Sequence, residues 1–337
     1  YQDSPHGPAF FGAIETAAPD TGEYTWIPSS LAGMDYGTHG LRIQVSLVED
    51  PGVLDRSTET FSVPEDGTTY FVDDRSDTND QYTPGAVGSN RHTGKTADAP
   101  KPDPVNLLRA YELSGAGAVL NIDTGDYFLL YPVVLTGSAV VGQQTGLGQD
   151  EGFTLQGPEA GSAAEAPFRM AMPGYRPDAL VELDNADLMV VRNLVLAEAQ
   201  RGLWVHNGSD QFSADHITAH DHTLDALRIE TDSPLSVFEH LTAYDSGDNG
   251  IYIDGEIGGL TDSLAYDNTE YGIYLLDSGD ALVSANVVYN NDDGIYADNN
   301  VSGTTTVVGG DIADGRGNVV YGNTRYGIDA RDRVLVS

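Results

Sequence analysis

A chain of 337 residues can bury a large core, as one elongated domain or as a domain with an appendage. Its 52 acidic side chains stand against 16 Lys and Arg, and a net charge of −36 excludes nucleic acid and disfavours an anionic membrane surface. There is no cysteine, so disulfides and thiol chemistry are excluded, and no apolar run approaches the roughly 18 residues a membrane-spanning helix needs.

In chain order, residues 1–72 form a β-rich segment, or the remnant of a preceding domain. Gly40–Leu47 alternates like a strand, Pro51-Gly52 marks a turn, and Thr60–Val63 and Thr69–Val72 are further short strands. Residues 73–116 are a loop and a capping helix. Asp73, Asp74, Asp77 and Asp80 cluster in this loop and could bind a metal, with a solvated connection as the simpler alternative. Asp103-Pro104 reads as an N-cap followed by proline at the first helical position, and the amphipathic run from Val105 to Leu113 stops at Gly115.

Residues 117–337 are organised by a repeat. A phrase beginning at Gly202, Ala226, Gly250, Gly272 and Gly294 (Gly-Ile-Tyr in its commonest form) recurs after 24, 24, 22 and 22 residues. A second phrase, ending at His220, Tyr244, Tyr266, Tyr289 and Tyr321, keeps step with it. The apolar signal alternates with period 2 and is broken by Gly, Asn and Asp, so the helical solenoids are excluded. At roughly 3.3 Å per residue one period encircles once, as three short strands and their turns. The expected fold is all-β: a right-handed, single-stranded parallel β-helix with a short N-terminal helix, cut at its C-terminal end. Leu203, Leu227, Ile251, Ile273, Ile295 and Ile328 should form one inward row. Val205, Ile229, Ile253, Leu275 and Ala297 should form a second. Trp204, Arg228, Tyr252, Tyr274 and Tyr296 should make an outward column, with His206, Glu230 and Asp254 beside it.

Tyr70-Phe-Val-Asp-Asp74, Gly94–Pro100 and Asn121–Tyr127 resemble the opening of the β-helix domains found in large secreted bacterial proteins. Asp248–Ile253 and Asn290–Tyr296 resemble the parallel β-helix repeat. Pectate and alginate lyases, mannuronan epimerases, polygalacturonases, phage tailspikes and adhesins share that repeat. The resemblance implies a secreted or cell-surface protein whose partner is a linear polysaccharide or cell-surface glycan. It supplies no catalytic residue. The Asp-Pro-His element of the epimerases is absent, as are the Gly-His-Gly and Arg-Ile-Lys elements of the hydrolases.

From the residues themselves, the histidine-rich stretch 206–240 is the best candidate for chemistry. His216 and His240 are one coil apart, and alternation places His216 and His220 on one strand face. Uronan β-elimination would use His220 or His222 as base, Tyr244 as proton donor and Arg228 to neutralise the carboxylate. Asp221, Asp225, Asp245 and Asp248 would instead permit inverting hydrolysis. Trp204, His206, Tyr252, Tyr274 and Tyr296 would bind sugar rings, unless something covers them. Ca²⁺ is the cofactor that the acidic turns suggest, without identified ligands. A non-catalytic adhesive module is the competing reading.

Overall fold

One repeat makes one coil because each of its strands finds its hydrogen-bond partner one period later. The computed structural model describes residues 42–47, 54–56, 69–110, 117–136, 152–159, 167–170, 177–310 and 316–337. These form an all-β parallel solenoid of right-handed type with one short helix, Pro104–Ala110. The strand expected at Thr60–Val63 and the helix end at Gly115 lie outside the described residues.

Three sheet faces wrap the core. The first face stacks Val133–Thr136, Ala179–Asp184, Arg201–His206, Leu227–Glu230, Ile251–Asp254, Tyr271–Leu276, Asp293–Asp298 and Ile328–Ala330, all parallel. On the second, the buried row runs Val191, Ala214, Phe238, Leu260, Val283 and Val308. On the third it runs Leu196, Ala219, Ala243, Ala265 and Val288. Both inward rows of the first face lie in the expected register. They are buried throughout, save Ile328, which packs against the core half-exposed.

The corners are made by single residues in the left-handed region. Between the second and third faces these are Asn193, His216, His240, Asp262 and Ala285, with φ of 51–59°. Between the third and first they are Glu198, Asp221, Asp245, Asp267 and Asn290, with φ of 51–64°. Asn and Asp predominate because their short polar side chains tolerate this conformation better than most. A left-handed residue also resets the alternation of a strand. Asp215 and His216 consequently both point outward, and His216 sits on the corner rather than on the face that carries His220.

Behind the second of these corners runs a buried ladder. The backbone N–H of Ser246 donates to Asn268 Oδ1 (3.2 Å), that of Asn268 to Asn291 Oδ1 (3.0 Å), and that of Asn291 to Asn323 Oδ1 (2.9 Å). The ladder explains the glycine of the repeat. A Cβ on Gly250 would lie 2.7 Å from Asn268 Nδ2 and 2.7 Å from the Gly272 carbonyl oxygen. Ala226 takes the same place in the coil where, by register, the ladder residue is the smaller Ser246. Gly250→Ala should lower stability by about 1–3 kcal/mol through overpacking, read from the urea midpoint; an unchanged midpoint would refute the close-approach account.

At the N-terminal end, Thr69–Val72 pairs parallel with Val119–Ile122. This strand, grouped above with the preceding segment, is part of the solenoid sheet. The separate antiparallel pair Gln44–Ser46 with Leu54–Arg56 is not. Asp103 caps the helix by accepting the Asn106 N–H at 2.7 Å, and Leu107 is buried in the core. The neighbouring turns are held by Asp123. Its carboxylate accepts the N–H groups of Gln81 (2.8 Å), Tyr82 (2.7 Å) and Thr83 (2.6 Å), and the Thr83 hydroxyl (2.9 Å).

Candidate functional site

Coil register places Glu182, Trp204, Arg228, Tyr252, Tyr274 and Tyr296 in one outward column on the first face. A second column, Arg201, Asp225, Asn249 and Tyr271, stands beside it through the same spacing. The Arg228 guanidinium lies 4.2 Å from the centre of the Tyr252 ring. It donates through Nη2 to Glu230 Oε1 (2.7 Å) and through Nη1 to Asp225 Oδ2 (3.2 Å). Arg201 faces the same Asp225 oxygen at 3.7 Å. Asp225 is itself buried and also accepts Asn249 Nδ2 at 2.7 Å. Burial disfavours the charged form of Glu230, yet hydrogen bonds from Arg228 and Trp204 hold its pKa below the usual value. Burial raises Asp248, with the Asp225 charge adding to the rise and Arg201 and Arg228 opposing it. Burial also raises Asp254 and pushes Tyr252 up to about 12.

The rings of this column do not offer their faces outward. Tyr252 and Tyr274 stack at 5.2 Å, Tyr274 and Tyr296 at 4.7 Å, with planes within 9° and 8° of parallel. Trp204 has His206 stacked on it at 4.0 Å and the Arg201 guanidinium 5.0 Å from its ring centre. Tyr296 is 7% exposed. Rings one rung apart cover one another, so the column presents edges, hydroxyls and carboxylates. The sugar-stacking platform expected from the sequence is corrected to a polar strip. Its acceptors are Glu182, Asp184, Glu230 and Asp254, with His206 Nε2 paired to Glu182 Oε1 at 3.0 Å.

The third face carries another stack: His220, Tyr244, Tyr266, Tyr289 and Tyr321, at spacings of 4.8, 4.9, 5.0 and 5.1 Å. His220 Nδ1 is 2.7 Å from Asp221 Oδ2, which orients the imidazole. Burial raises the pKa of Asp245, and the charges of Asp221 and Asp267 raise it further. At the corner, His216 and His240 stack at 4.3 Å and share Asp215, whose Oδ1 lies 2.7 Å and 2.9 Å from their Nδ1 atoms. Among the described residues, this is the one group of three such donors within 4.8 Å of one another.

Two expected roles change. His222 is 3% exposed and serves the interior ladder, not a substrate. Its Nδ1 accepts the Ala199 N–H (3.3 Å) and its Nε2 donates to the Leu196 carbonyl (3.1 Å), as an asparagine amide does in later coils. Burial lowers its pKa to about 3. Arg228 belongs to the first face and is spent on Asp225, Glu230 and Tyr252, whereas His220 and Tyr244 stand on the third. The base, acid and carboxylate partner expected for elimination are therefore not brought together. Arg201 was missed by sequence reasoning, although its 24-residue spacing from Asp225 was a usable signal.

Residues 182–334 match the family model described as the right handed beta helix region. No curated protein matches the chain. Among solved structures, the crystal structure of pectate lyase Pel9A is similar, with a TM-score of 0.47 and 12% identity, over 78% of this chain and 79% of that one.

Proposed function

We propose that the protein binds a linear, uncharged polysaccharide along its first face, on the scaffold whose residues 182–334 match the right handed beta helix region. The strip from Glu182 to Asp254 carries the contacts. The observation behind this reading is that the strip's arginines are already neutralised: Arg228 by Glu230 and Asp225, Arg201 by Asp225. On a chain of net charge −36, that leaves carboxylate acceptors facing solvent, and neither arginine of the strip stands unpaired for a uronate. Hydroxyl-rich neutral sugars donate well to ionised acceptors. Rungs about 4.8 Å apart repeat those acceptors along a line, which suits a polymer.

A Ca²⁺-bridged uronan is less well supported. Among the described residues, no three carboxylates on this face converge on one point. Hydrolysis is the second reading, because Asp248 is raised by burial next to the ion-paired Asp225 and would be the acid of such a pair.

The test is binding of the purified chain to soluble neutral glucans, mannans and xylans, with polygalacturonate and alginate as the anionic comparison. Asp254→Ala and Glu182→Ala should each weaken neutral-glycan binding by about tenfold, the scale of one hydrogen bond to a charged group. Tyr266→Ala, on the third face, should leave it unchanged. Tighter binding to polygalacturonate than to any neutral glycan would sink the proposal. New reducing ends that vanish in Asp248→Asn would establish the hydrolytic reading.

A further inference from the structure

Four aspartates near the N-terminal end of the solenoid, Asp73, Asp74, Asp80 and Asp123, act on one another and are not equivalent. Asp123 is saturated by the turn it holds. Asp74 accepts the N–H groups of Ser76 (2.5 Å) and Asp126 (3.2 Å). Asp73 is 0% exposed, yet neither of its carboxylate oxygens has a hydrogen-bond partner. Both oxygens of Asp80 are likewise buried and unpartnered. The single Thr83 hydroxyl proton beside Asp73 goes to Asp123. Asp80, Asp123 and Asp74 are the charges that act on Asp73.

A buried carboxylate without a partner costs several kcal/mol, and a second one beside it adds repulsion. A fold that keeps such a pair has to supply it with a proton, an ordered water or a cation. Among the described residues, no lysine or arginine is paired with either. Lys101, the nearest buried cation in sequence, donates to the Asn90 carbonyl instead (3.1 Å).

We propose that Asp73 and Asp80 are direct ligands of a structural Ca²⁺ ion that ties the turn at residues 73–83 to the first solenoid strands. Asp74 and Asp123 stand next to it, and water and turn carbonyls complete its shell. All of the side-chain donors are hard oxygens, which selects Ca²⁺ or Mg²⁺ over zinc or copper. Both carboxylates are buried, which suits the irregular protein-oxygen shell of Ca²⁺ better than Mg²⁺, which keeps several of its waters. The exposed histidine group is the weaker candidate, because Asp215 Oδ1 already accepts from His240 Nδ1 at 2.9 Å and stands 2.7 Å from His216 Nδ1. The site is independent of the polysaccharide reading and requires no substrate.

The test is thermal unfolding and calorimetric titration of the chelator-treated full chain with Ca²⁺, and separately with Mg²⁺. Ca²⁺ should raise the midpoint and bind at one site, and Mg²⁺ should do so at least about tenfold more weakly. Asp73→Asn and Asp80→Asn should lose the Ca²⁺ shift. Without Ca²⁺ each should be at least as stable as the wild type, because an orphaned charge is removed. That direction separates lost ligation from lost folding. No Ca²⁺ response, an equal Mg²⁺ response, or a Ca²⁺ shift retained in both variants would overturn the assignment.

Discussion

Asn291→Ala should destabilise the solenoid by about 3–5 kcal/mol, because it strands several buried polar groups at once. Asn291 Oδ1 accepts both the backbone N–H and the side-chain amide of Asn268, each at 3.0 Å. The two hydrogens of its Nδ2 are shared among the carbonyls of Ala265 (3.2 Å) and Tyr289 (3.0 Å) and Asn323 Oδ1 (3.2 Å). Asn291 is 1% exposed, so water does not replace these partners without opening the wall. Each orphaned donor or acceptor costs about 1–3 kcal/mol. Urea unfolding of the variant beside Asn300→Ala, whose side chain is exposed, checks the figure. A loss under about 1 kcal/mol would mean that the ladder is not what holds this corner.

His222→Asn should make the protein markedly more resistant to acid while leaving its stability at neutral pH nearly unchanged. The sign follows from proton binding. The folded pKa is about 3 against an ordinary 6.5, so between those values the unfolded chain holds the proton and the folded chain does not. Stability therefore falls as pH drops from 6.5 towards 3, by about 1.4 kcal/mol per pH unit from this group. Below about 3 both states are protonated and the contribution levels off. Asparagine keeps an acceptor for the Ala199 N–H and a donor for the Leu196 carbonyl without titrating, as Asn268 and Asn291 already do one and two coils beyond Ser246. Carboxylates titrate in the same window in both proteins, so the difference between the two pH profiles isolates the imidazole. Parallel profiles would show that His222 is already protonated or solvated in the fold.

The two predictions concern the same ladder, and they change how the histidine-rich stretch is understood. Its histidines divide among four tasks, the first being that of His206, which stacks on Trp204 and pairs with Glu182. His222 heads an internal hydrogen-bond ladder. His216 and His240 sit on a left-handed corner and share Asp215. His220 ends a column of stacked tyrosines. Clustering along the chain reflected the coil period more than convergence on one substrate.

The repeat spacing by itself determined the parallel solenoid, both inward rows of the first face and the order of its outward column. A one-coil offset is imposed by backbone hydrogen bonding, and alternation along a strand then assigns each side chain inward or outward. It also placed the Asp103 cap, whose chemistry is local.

What lay beyond the sequence was decided between coils and at corners. Alternation says that Trp204, Tyr252 and Tyr274 point out, but only the stacking of neighbouring rungs decides that their faces are covered. Arg228 is legible as an outward cation, while its neutralisation by Asp225 and Glu230 depends on rotamers. His216 and His222 follow left-handed residues or are themselves such residues, and a single φ near 55° resets which side of the wall the next residues face. For Asp73 and Asp80 the solvated loop was the simpler reading because burial of a loop carboxylate is fixed by elements far along the chain, here Asp123 and the strand that begins at Val119. Register propagates from local spacing, whereas solvent exposure and charge pairing are properties of the packed whole.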